Sequence, residues 1–269
     1  MNGLFDLAGE IAVVIGGTGV LGGALAEGLA GVGALVAILG RDAGRGEARA
    51  ASIRDSGGSA AFFFADATDP ASLMAAHQAI AGGFGAPGIL VSAAGGNDAS
   101  VTVTEEQPFE KIDSADWRRN FDLNLVGGAL LPAQEFGPAM CERGRGSIIN
   151  IASVSAHLPL SRVVAYSAAK AAVLNLTQFL AREWAPRGVR VNALTPGFFP
   201  AEQNRSLLFE QNGQPTPRAQ SILGHTPMGR FGVPSELAGA AIFLASAAAS
   251  GFVTGIELRV DGGFLSQTI

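Results

Sequence analysis

The stretch VVIGGTGVLGG, Val13 to Gly23, decides how this chain can fold. Five glycines fall between positions 16 and 23, directly after an apolar run of the β type. Because glycine weakens helices and strands alike, such a cluster is costly unless the backbone needs it. Residues 17–22 fit the pattern G-x-G-x-x-G, and the N–H groups that open a following helix can hold a pyrophosphate. The stretch therefore predicts a dinucleotide-binding turn. The alternatives are a close helix–sheet packing turn, which would use the same glycines, and a site for FAD or a methyl donor.

Apolar runs of strand length alternate with helical patterns along the rest of the chain. The strand candidates are IAVVIG, ALVAILG, SAAFFFAD, GILVSAAG, SIINIAS, VRVNALTPG and VTGIELRVDGG. The helix candidates are LGGALAEGLAGVG, 43–56, 70–81, DWRRNFDLNLVGGALLPAQEF, SAAKAAVLNLTQFLAREWA and 234–245. Strands that are apolar on both faces and separated by helices are typical of a parallel sheet covered on each side.

This alternation predicts one α/β domain over residues 1–269, a doubly wound (Rossmann) parallel sheet of about seven strands with helices on both faces. No linker divides the chain. The stretch 198–230 is long and irregular, and long loops in compact domains usually bind ligands or act as lids. We expect it to be the substrate loop.

Composition excludes several classes of protein. The chain has 269 residues, 48% of them hydrophobic and 15% charged, with a net charge of −5 and no basic cluster, which argues against nucleic acid. We find neither an apolar stretch of membrane-spanning length nor a signal peptide, and Cys141 is the single cysteine. These features predict a cytoplasmic protein without a membrane partner. His77, His157 and His225 are too far apart in sequence to suggest a metal site.

The end of the second strand, ILGRD, bears on the choice between NADP and NAD. An acidic residue at such a strand end holds the ribose 2′-hydroxyl of NAD, but here the position is Gly40, followed by Arg41. The planar fork of Arg41 suits a 2′-phosphate, which favours NADP. Asp42 would take the ribose role if the strand ran longer, and Arg41 would then be an ordinary loop charge.

The motif YSAAK contains Tyr166, the one tyrosine of the chain, and Lys170 four residues later. On a helix these side chains share a face, so the ammonium can lower the pKa of the phenol and make it a proton donor and acceptor near neutral pH. Ser153 follows the strand SIINIAS, at the strand end where ligands bind in parallel sheets. Asn124 lies within the preceding helix candidate, although asparagine is a poor helix former.

Together these motifs resemble the short-chain dehydrogenase/reductase family over almost the whole chain: the glycine turn, FADAT, SAAG, DLNLVG, INIAS, YSAAK, RVNALTPG and VTGIELRVDGG. The resemblance implies a catalytic tetrad of Asn124, Ser153, Tyr166 and Lys170. Tyr166 would be the general acid/base, Ser153 would bind the reacting oxygen, Lys170 would bind the nicotinamide ribose, and Asn124 would support a water in the proton relay. It also implies a nicotinamide dinucleotide, for which Arg41 favours NADP with NAD as the alternative. The expected cofactor-binding residues are Gly16, Thr18, Gly19, Val20, Leu21, Arg41, Asp42, Asp66, Ala67, Ala93, Ala94, Gly95, Tyr166, Lys170, Pro196, Gly197 and Phe199.

A narrower resemblance concerns the substrate. SAAGGN, LTPGFFPAEQNRSLL and TPRAQSILGHTPMGRFG resemble the branch of the family described as D-mannonate oxidoreductase or fructuronate reductase. The expected small-molecule substrate is a sugar acid, bound by Asn97, Ser153, His157 and Arg205, with the arginine on the carboxylate. Arg205 could equally be a surface charge or an intersubunit partner. The alternatives are another oxo-substrate, of gluconate or 3-oxoacyl thioester type, and a non-catalytic dinucleotide sensor.

The family resemblance further implies a homotetramer. The apolar tail GFVTGIELRVDGGFLSQTI agrees with this expectation, since apolar surface is costly to expose.

Overall fold

A computed structural model of the chain describes residues 3–160, 162–201, 205 and 207–267. It contains one seven-stranded sheet in the order β3-β2-β1-β4-β5-β6-β7, with every neighbouring pair parallel. The strands are β1 Ile11–Ile15, β2 Leu35–Gly40, β3 Ser59–Phe64, β4 Ile89–Ser92, β5 Gly146–Ile151, β6 Val189–Pro196 and β7 Glu257–Val260. The predicted doubly wound α/β fold is confirmed.

Helices connect the strands and cover both faces of the sheet. They are α1 Val20–Gly31, α2 Ala43–Asp55, α3 Pro70–Gly83, α4 Ser114–Phe121, α5 Leu131–Glu142, α6 Val164–Trp184, α7 Pro217–His225, α8 Ala238–Ala245 and α9 Ala247–Ser250. Within the described residues, no helix combines the length and the apolar character that crossing a bilayer requires.

The structure differs from the sequence prediction in three segments. The helix predicted around DWRRNF runs on through a π-helical segment, Asp122–Leu130, before α5 begins. The helix predicted over 234–245 opens with a 3₁₀ turn, Pro234–Leu237, before the α-helix begins at Ala238. The substrate loop contains α7, which we did not predict because its polar residues obscure the apolar side formed by Ala219 and Ile222.

The core lies on both faces of the sheet. Along β1, Ala12 and Val14 belong to one buried apolar cluster, whereas Val13 and Ile15 belong to the other. Helices α1 and α8 pack on the first face, and α3, α5 and α6 pack on the second. Strands buried on both faces need apolar residues at every position, which is why the strand candidates were recognisable as continuous apolar runs.

The strand order reverses between β1 and β4, and this reversal opens a crevice at their carboxyl ends. The backbone there is closely packed: Gly16 has a positive φ of 78°, and a Cβ on it would lie 2.7 Å from the amide nitrogen of Ala94. Only glycine satisfies both constraints. The first turn of α1 is equally close, since a Cβ on Gly22 would overlap the carbonyl oxygen of Gly16.

Gly22→Ala is expected to lower the free energy of unfolding by ~1–3 kcal/mol, the usual cost of an added group in a closely packed site. Gly31→Ala is the matched control, because it lies in the same helix with no atom within 4 Å of the added Cβ. The control should be neutral or stabilising by up to ~1 kcal/mol. Urea unfolding measures both variants, and an equal effect at the two positions would contradict the close packing described for Gly22.

Candidate active site

A cleft of about 880 Å³ runs along the carboxyl ends of β1 to β6. The glycine turn lies on one side, the segments after β4 and β5 lie in the middle, and the segment after β6 closes the other side together with α7. Almost every residue predicted to bind the cofactor lines it: Gly16, Thr18, Gly19, Val20, Leu21, Arg41, Asp66, Ala67, Ala93, Ala94, Gly95, Tyr166, Lys170, Pro196, Gly197 and Phe199. The exception among them is Asp42.

The glycine turn fits a dinucleotide. Helix α1 begins at Val20; its N-cap residue, Gly19, has no side chain to cap it, and the first turn carries no acidic residue. The first N–H groups of α1 therefore have no side-chain acceptor of their own, and the positive end of the helix dipole favours a phosphate there. A Cβ on Gly16 or Gly95 would collide with neighbouring atoms, so both residues let the backbone form the wall of the cleft. The residues present are those that a dinucleotide needs.

Several charged side chains surround the end of β2. Arg41 is exposed and lies 3.9 Å from Asp66, measured from Nη1 to Oδ2. Asp42 accepts a hydrogen bond from the backbone N–H of Arg45 and so caps α2, and its other oxygen lies 2.8 Å from Nε of Arg45. Asp42 lines a small adjoining pocket with Arg41 and Arg45 rather than the main cleft. Arg45, which the sequence analysis missed, lines both.

Asp66 follows β3 and is held by the turn after it. Its Oδ1 accepts hydrogen bonds from the backbone N–H of Thr68 at 2.9 Å and from the Thr68 hydroxyl at 2.7 Å. These two bonds, more than the charge of Arg41, hold the pKa of Asp66 below its usual value. The carboxylate is therefore ionised and fixed at the cleft wall.

Ser153, Tyr166 and Lys170 line the middle of the cleft, although they come from different elements. Ser153 follows β5, whereas Tyr166 and Lys170 lie in the first two turns of α6. The Nζ atom of Lys170 donates a hydrogen bond to the carbonyl oxygen of Ile151 at 2.8 Å and lies 5.6 Å from the centre of the Tyr166 ring. Lys170 is 3% exposed, so this contact fixes an almost fully buried ammonium.

Burial controls the protonation of this pair. It raises the pKa of Tyr166, and the hydrogen bond with Ser153 acts in the opposite direction but is weaker. Burial also lowers the pKa of Lys170 to about 8. The expectation that Lys170 would bring the pKa of the phenol towards neutrality is therefore wrong for the protein by itself, because desolvation disfavours the phenolate more than the hydrogen bond with Ser153 favours it. Tyr166 is a protonated acid at neutral pH.

Asn124 lies in the π-helical segment behind the cleft and does not line it. Its Oδ1 accepts from the N–H of Gly96 at 2.9 Å, and its Nδ2 donates to the carbonyl oxygens of Gly96 and Asn120 at 2.8 Å each. A Cβ on Gly95 would lie 2.6 Å from Oδ1 of Asn124 and 3.2 Å from Nζ of Lys170. The Asn124 side chain thus holds the loop after β4 against Lys170, and it acts by positioning that loop. Its location in a π-helical segment agrees with such a role, because π-helical turns often occur at functional sites.

The predicted substrate residues separate into two groups. Asn97 and Ser153 line the cleft, and the Asn97 amide also donates to the Thr102 hydroxyl at 2.6 Å. His157 does not line the cleft, and its Nε2 lies 2.6 Å from Oε1 of Glu257. Arg205 is exposed and also outside the cleft, with its guanidinium 5.5 Å from the centre of the Phe209 ring. His157 and Arg205 follow strand ends in the sequence, but this proximity does not place their side chains in the cleft.

The structure adds residues to the substrate side of the cleft that the sequence analysis did not select. They are Leu160, Val163, Phe198, Leu207, Leu208, Arg218 and Ile222. Arg218 and Ile222 lie four residues apart on α7, and this helical spacing was the signal that could have identified them. Glu202, Gln203 and Asn204, three polar residues of the substrate loop, lie outside the described residues. Among the residues that the structure describes, no group of three His, Cys, Asp or Glu side chains could hold a metal ion.

The chain is similar in sequence to a known family and to known oxidoreductases. The profile of a family described as enoyl-(acyl carrier protein) reductase matches residues 18–265. An uncharacterised oxidoreductase, UxuB, of Bacillus subtilis (strain 168) is 44% identical over 271 residues, covering 98% of this chain and 97% of its own length.

Two solved structures share the fold over nearly the full chain. One, from Haemophilus influenza with bound NAD and the proposed activity of a D-mannonate oxidoreductase, has a TM-score of 0.92 at 38% identity, covering 98% of this chain and 97% of that one. The other is a gluconate 5-dehydrogenase from Burkholderia cenocepacia J2315 in complex with NADP and tartrate, with a TM-score of 0.88 at 36% identity, covering 98% of both chains.

The buried ammonium gives the stability of the protein a pH dependence. The pKa of Lys170 is about 8 in the folded protein against an ordinary value of 10.5. Between these pH values the unfolded chain binds the proton and the folded protein does not, so the free energy of unfolding rises with pH, by up to ~3 kcal/mol. Below pH 8 the ammonium of Lys170 is charged in the folded protein, so the free energy of unfolding is lowered by the full cost of burying that charge.

Urea unfolding of the wild type and of Lys170→Met between pH 7 and 10 tests this, with the difference between the two as the readout. The wild type should gain stability relative to the variant as the pH rises, because methionine does not titrate. A difference that stays constant over this range would contradict the lowered pKa of Lys170.

Proposed function

Because the chain belongs to the short-chain dehydrogenase/reductase family, we propose that it transfers a hydride between a nicotinamide dinucleotide and the carbonyl or secondary alcohol of a sugar acid. The chain is an NAD(P)-dependent oxidoreductase. The observation that carries the proposal is that Ser153, Tyr166 and Lys170 line one cleft together with the glycine turn. A non-catalytic dinucleotide sensor would not need this convergence.

In the proposed mechanism the glycine turn and the N-terminus of α1 bind the pyrophosphate, Asp66 and Ala67 border the adenine, and Lys170 binds the nicotinamide ribose. When bound, the nicotinamide supplies the hydride in reduction and accepts it in oxidation. Tyr166, protonated at neutral pH, donates its proton to the substrate carbonyl oxygen as negative charge develops there. In the reverse direction Tyr166 first loses its phenol proton to water, and the phenolate, which the nearby ammonium of Lys170 favours, then accepts the proton of the alcohol.

Ser153 assists by hydrogen bonding. Its Oγ accepts from the N–H of Ser155 at 3.2 Å, and its hydroxyl is hydrogen-bonded to Tyr166. A substrate oxygen bound between the two hydroxyls would replace that bond and accept from both. Asn124 acts indirectly by fixing the loop that contains Gly95 and Gly96. Each of the four residues thus has a role that its own contacts support.

The substrate class is supported by charge and by the relatives. Among the described residues that line the substrate side of the cleft, the charged ones are Lys170 and Arg218, both cationic, which favours an anionic substrate. The relatives from Haemophilus and Burkholderia bear names that refer to sugar acids. Fructuronate/mannonate is the proposed pair; a gluconate-type substrate is the second candidate, favoured by the gluconate 5-dehydrogenase relative.

A screen of NADPH and NADH oxidation separates these candidates. The keto-substrates are fructuronate, 5-ketogluconate, fructose and acetoacetyl-coenzyme A, which stands for the 3-oxoacyl thioesters. The proposal expects the highest kcat/KM with fructuronate. A preference for the thioester would overturn the sugar-acid assignment, and no turnover with any carbonyl compound would favour the sensor.

Tyr166→Phe is expected to cut turnover on the order of a hundredfold or more, because the ring still packs and only the proton donor is lost. The affinity for NADPH, measured by fluorescence titration, should remain near that of the wild type. Wild-type turnover by Tyr166→Phe would exclude Tyr166 as the general acid.

We propose NADP as the preferred cofactor, on the charges at the end of β2. Arg41 and Arg45 both line the cleft and the adjoining pocket, whereas Asp42 lines only that pocket and is engaged in capping α2 and pairing with Arg45. Two guanidinium groups and a carboxylate that is already paired suit a 2′-phosphate better than a ribose hydroxyl. The NAD bound to the Haemophilus relative is the contrary observation.

Arg41→Ala is expected to weaken NADPH binding by roughly 1–3 kcal/mol and to leave NADH binding little changed, since the lost hydrogen bonds are made to the 2′-phosphate. Arg49→Ala is the matched control, because Arg49 lies on α2 outside the cleft and pairs with Glu27. Dissociation constants for both cofactors provide the measurement. Equal losses for NADPH and NADH, or a wild type that prefers NADH, would contradict the role given to Arg41.

The homotetramer and the cytoplasmic location remain part of the proposal. Phe252, in the apolar tail, is fully exposed, and Ile256 of the same tail is 38% exposed. Phe179 on α6 is 51% exposed. Burial of such side chains against other subunits would remove apolar surface from water.

A further inference from the structure

We propose that Arg218 is the residue that recognises the carboxylate of the substrate. This inference rests on the proposed function, because it names the group that would select a sugar acid over a neutral sugar at the same site. Arg218 lines the cleft that also contains Ser153 and Tyr166. Arg205, the carboxylate ligand expected from the sequence, lies on the surface outside the cleft.

The position of Arg218 is fixed by the packing of α7. Thr216 caps the helix by accepting from the N–H of Ala219 at 3.2 Å, and Arg218 is the second residue of the helix. Ala219 and Ile222 are buried against Leu208 in a small apolar cluster that also contacts Phe198. The arginine therefore projects from a helix anchored beside the end of β6, and a rigid support is what precise recognition of an anion needs.

Helical spacing explains how α7 serves both purposes. Arg218 and Ile222 are four residues apart, so they lie on the same side of the helix, and both line the cleft. The apolar side chain closes the wall while the guanidinium supplies the charge. An arginine that is partly enclosed in this way can donate two parallel hydrogen bonds to a carboxylate.

The charge distribution along the cleft separates its two ends. Among the described lining residues the one carboxylate is Asp66, which follows β3 at the adenine end of the cleft. Arg218 lies with the segment after β6, on the opposite side of the β1–β4 crevice, where the other charged lining residue is Lys170. The substrate end is therefore electropositive, and an anion bound there would be attracted by both groups.

A second arginine strengthens this field. Burial lowers the pKa of Arg218, and the nearby positive charge of Arg162 acts in the same direction. A guanidinium keeps its proton at any pH at which the protein is folded, so Arg218 presents a positive charge to a bound carboxylate. A neutral hydroxymethyl group gains no such attraction.

The test compares two substrates that differ in one group. Fructuronate carries a carboxylate where fructose carries a hydroxymethyl group. Arg218→Gln should lower kcat/KM for fructuronate by ~10- to 100-fold, the range for a lost charge-assisted hydrogen bond, and change the value for fructose by less than about threefold. Arg218→Lys, which keeps the charge but not the fork, should recover part of the loss. Arg205→Gln is the matched control and should behave as the wild type.

A binding measurement keeps the inference independent of turnover. Mannonate and NADPH together form a complex that cannot react, since both are in the reduced state, and calorimetry gives the affinity of the enzyme–NADPH complex for mannonate. Arg218→Gln should weaken that affinity by ~10- to 100-fold while the affinity for NADPH stays unchanged.

The outcomes distinguish this inference from the proposed function. Equal losses for fructuronate and fructose, or an unchanged affinity for mannonate, would overturn the role of Arg218 and leave the sugar-acid activity standing. A wild type that turns over neither fructuronate nor 5-ketogluconate would overturn the proposed function. In that case a selective loss of mannonate binding in Arg218→Gln would still support a carboxylate site at Arg218.

Discussion

The close approach of the backbone at Gly16 to the start of the loop after β4 is the constraint on which the rest of the site depends. The N–H of Gly16 donates to the carbonyl oxygen of Leu39 in β2, and the N–H of Ala93 donates to that of Ile15. The turn is thereby tied to β2 on one side and to the β4 loop on the other. With no Cβ at Gly16, the chain can reverse into α1 within van der Waals distance of that loop. The turn places the N-terminus of α1 at the crevice that the strand order opens between β1 and β4, and it holds the ends of these two strands close together.

The middle of the cleft depends on desolvation in a similar way. Lys170 is almost fully buried, and its ammonium is held by a single described hydrogen bond, to the carbonyl oxygen of Ile151. Placing a cation there costs stability, and the lowered pKa of the group measures that cost. The same surroundings keep Tyr166 protonated. The site thus disfavours charge on both Tyr166 and Lys170. Such a site is suited to moving a proton to a carbonyl oxygen, because the negative charge that develops on that oxygen is stabilised by fixed hydrogen-bond donors rather than by water.

The order of this site comes from residues behind it. Asn124 occupies a π-helical segment, and its side chain satisfies both the N–H and the C=O of Gly96. The wall formed by Gly95 and Gly96 is thus held by an amide that never faces the cleft. At the substrate end, α7 plays a comparable part, since its buried face anchors the one charged side chain that it contributes to the cleft. The Asn124 side chain and the buried face of α7 lie behind the residues that line the cleft, and they determine how precisely those residues are held.

The sequence by itself determined the fold and the half of the site that binds the dinucleotide. Three features are local patterns: the strands that are apolar on both faces, the glycine turn and the Tyr166–Lys170 spacing. A local pattern can be recognised in the sequence because the residues that form it lie close together along the chain. The tertiary structure alone decided the direction of the Tyr166 pKa shift, the positioning role of Asn124, and the exclusion of His157 and Arg205 from the cleft. Burial and long-range contacts control each of these: Glu257, one hundred residues away, pairs with His157, and the packing of α7 brings Arg218 into the cleft. A short stretch of sequence does not show which distant side chain will contact a given residue, nor how far that residue will be desolvated on folding.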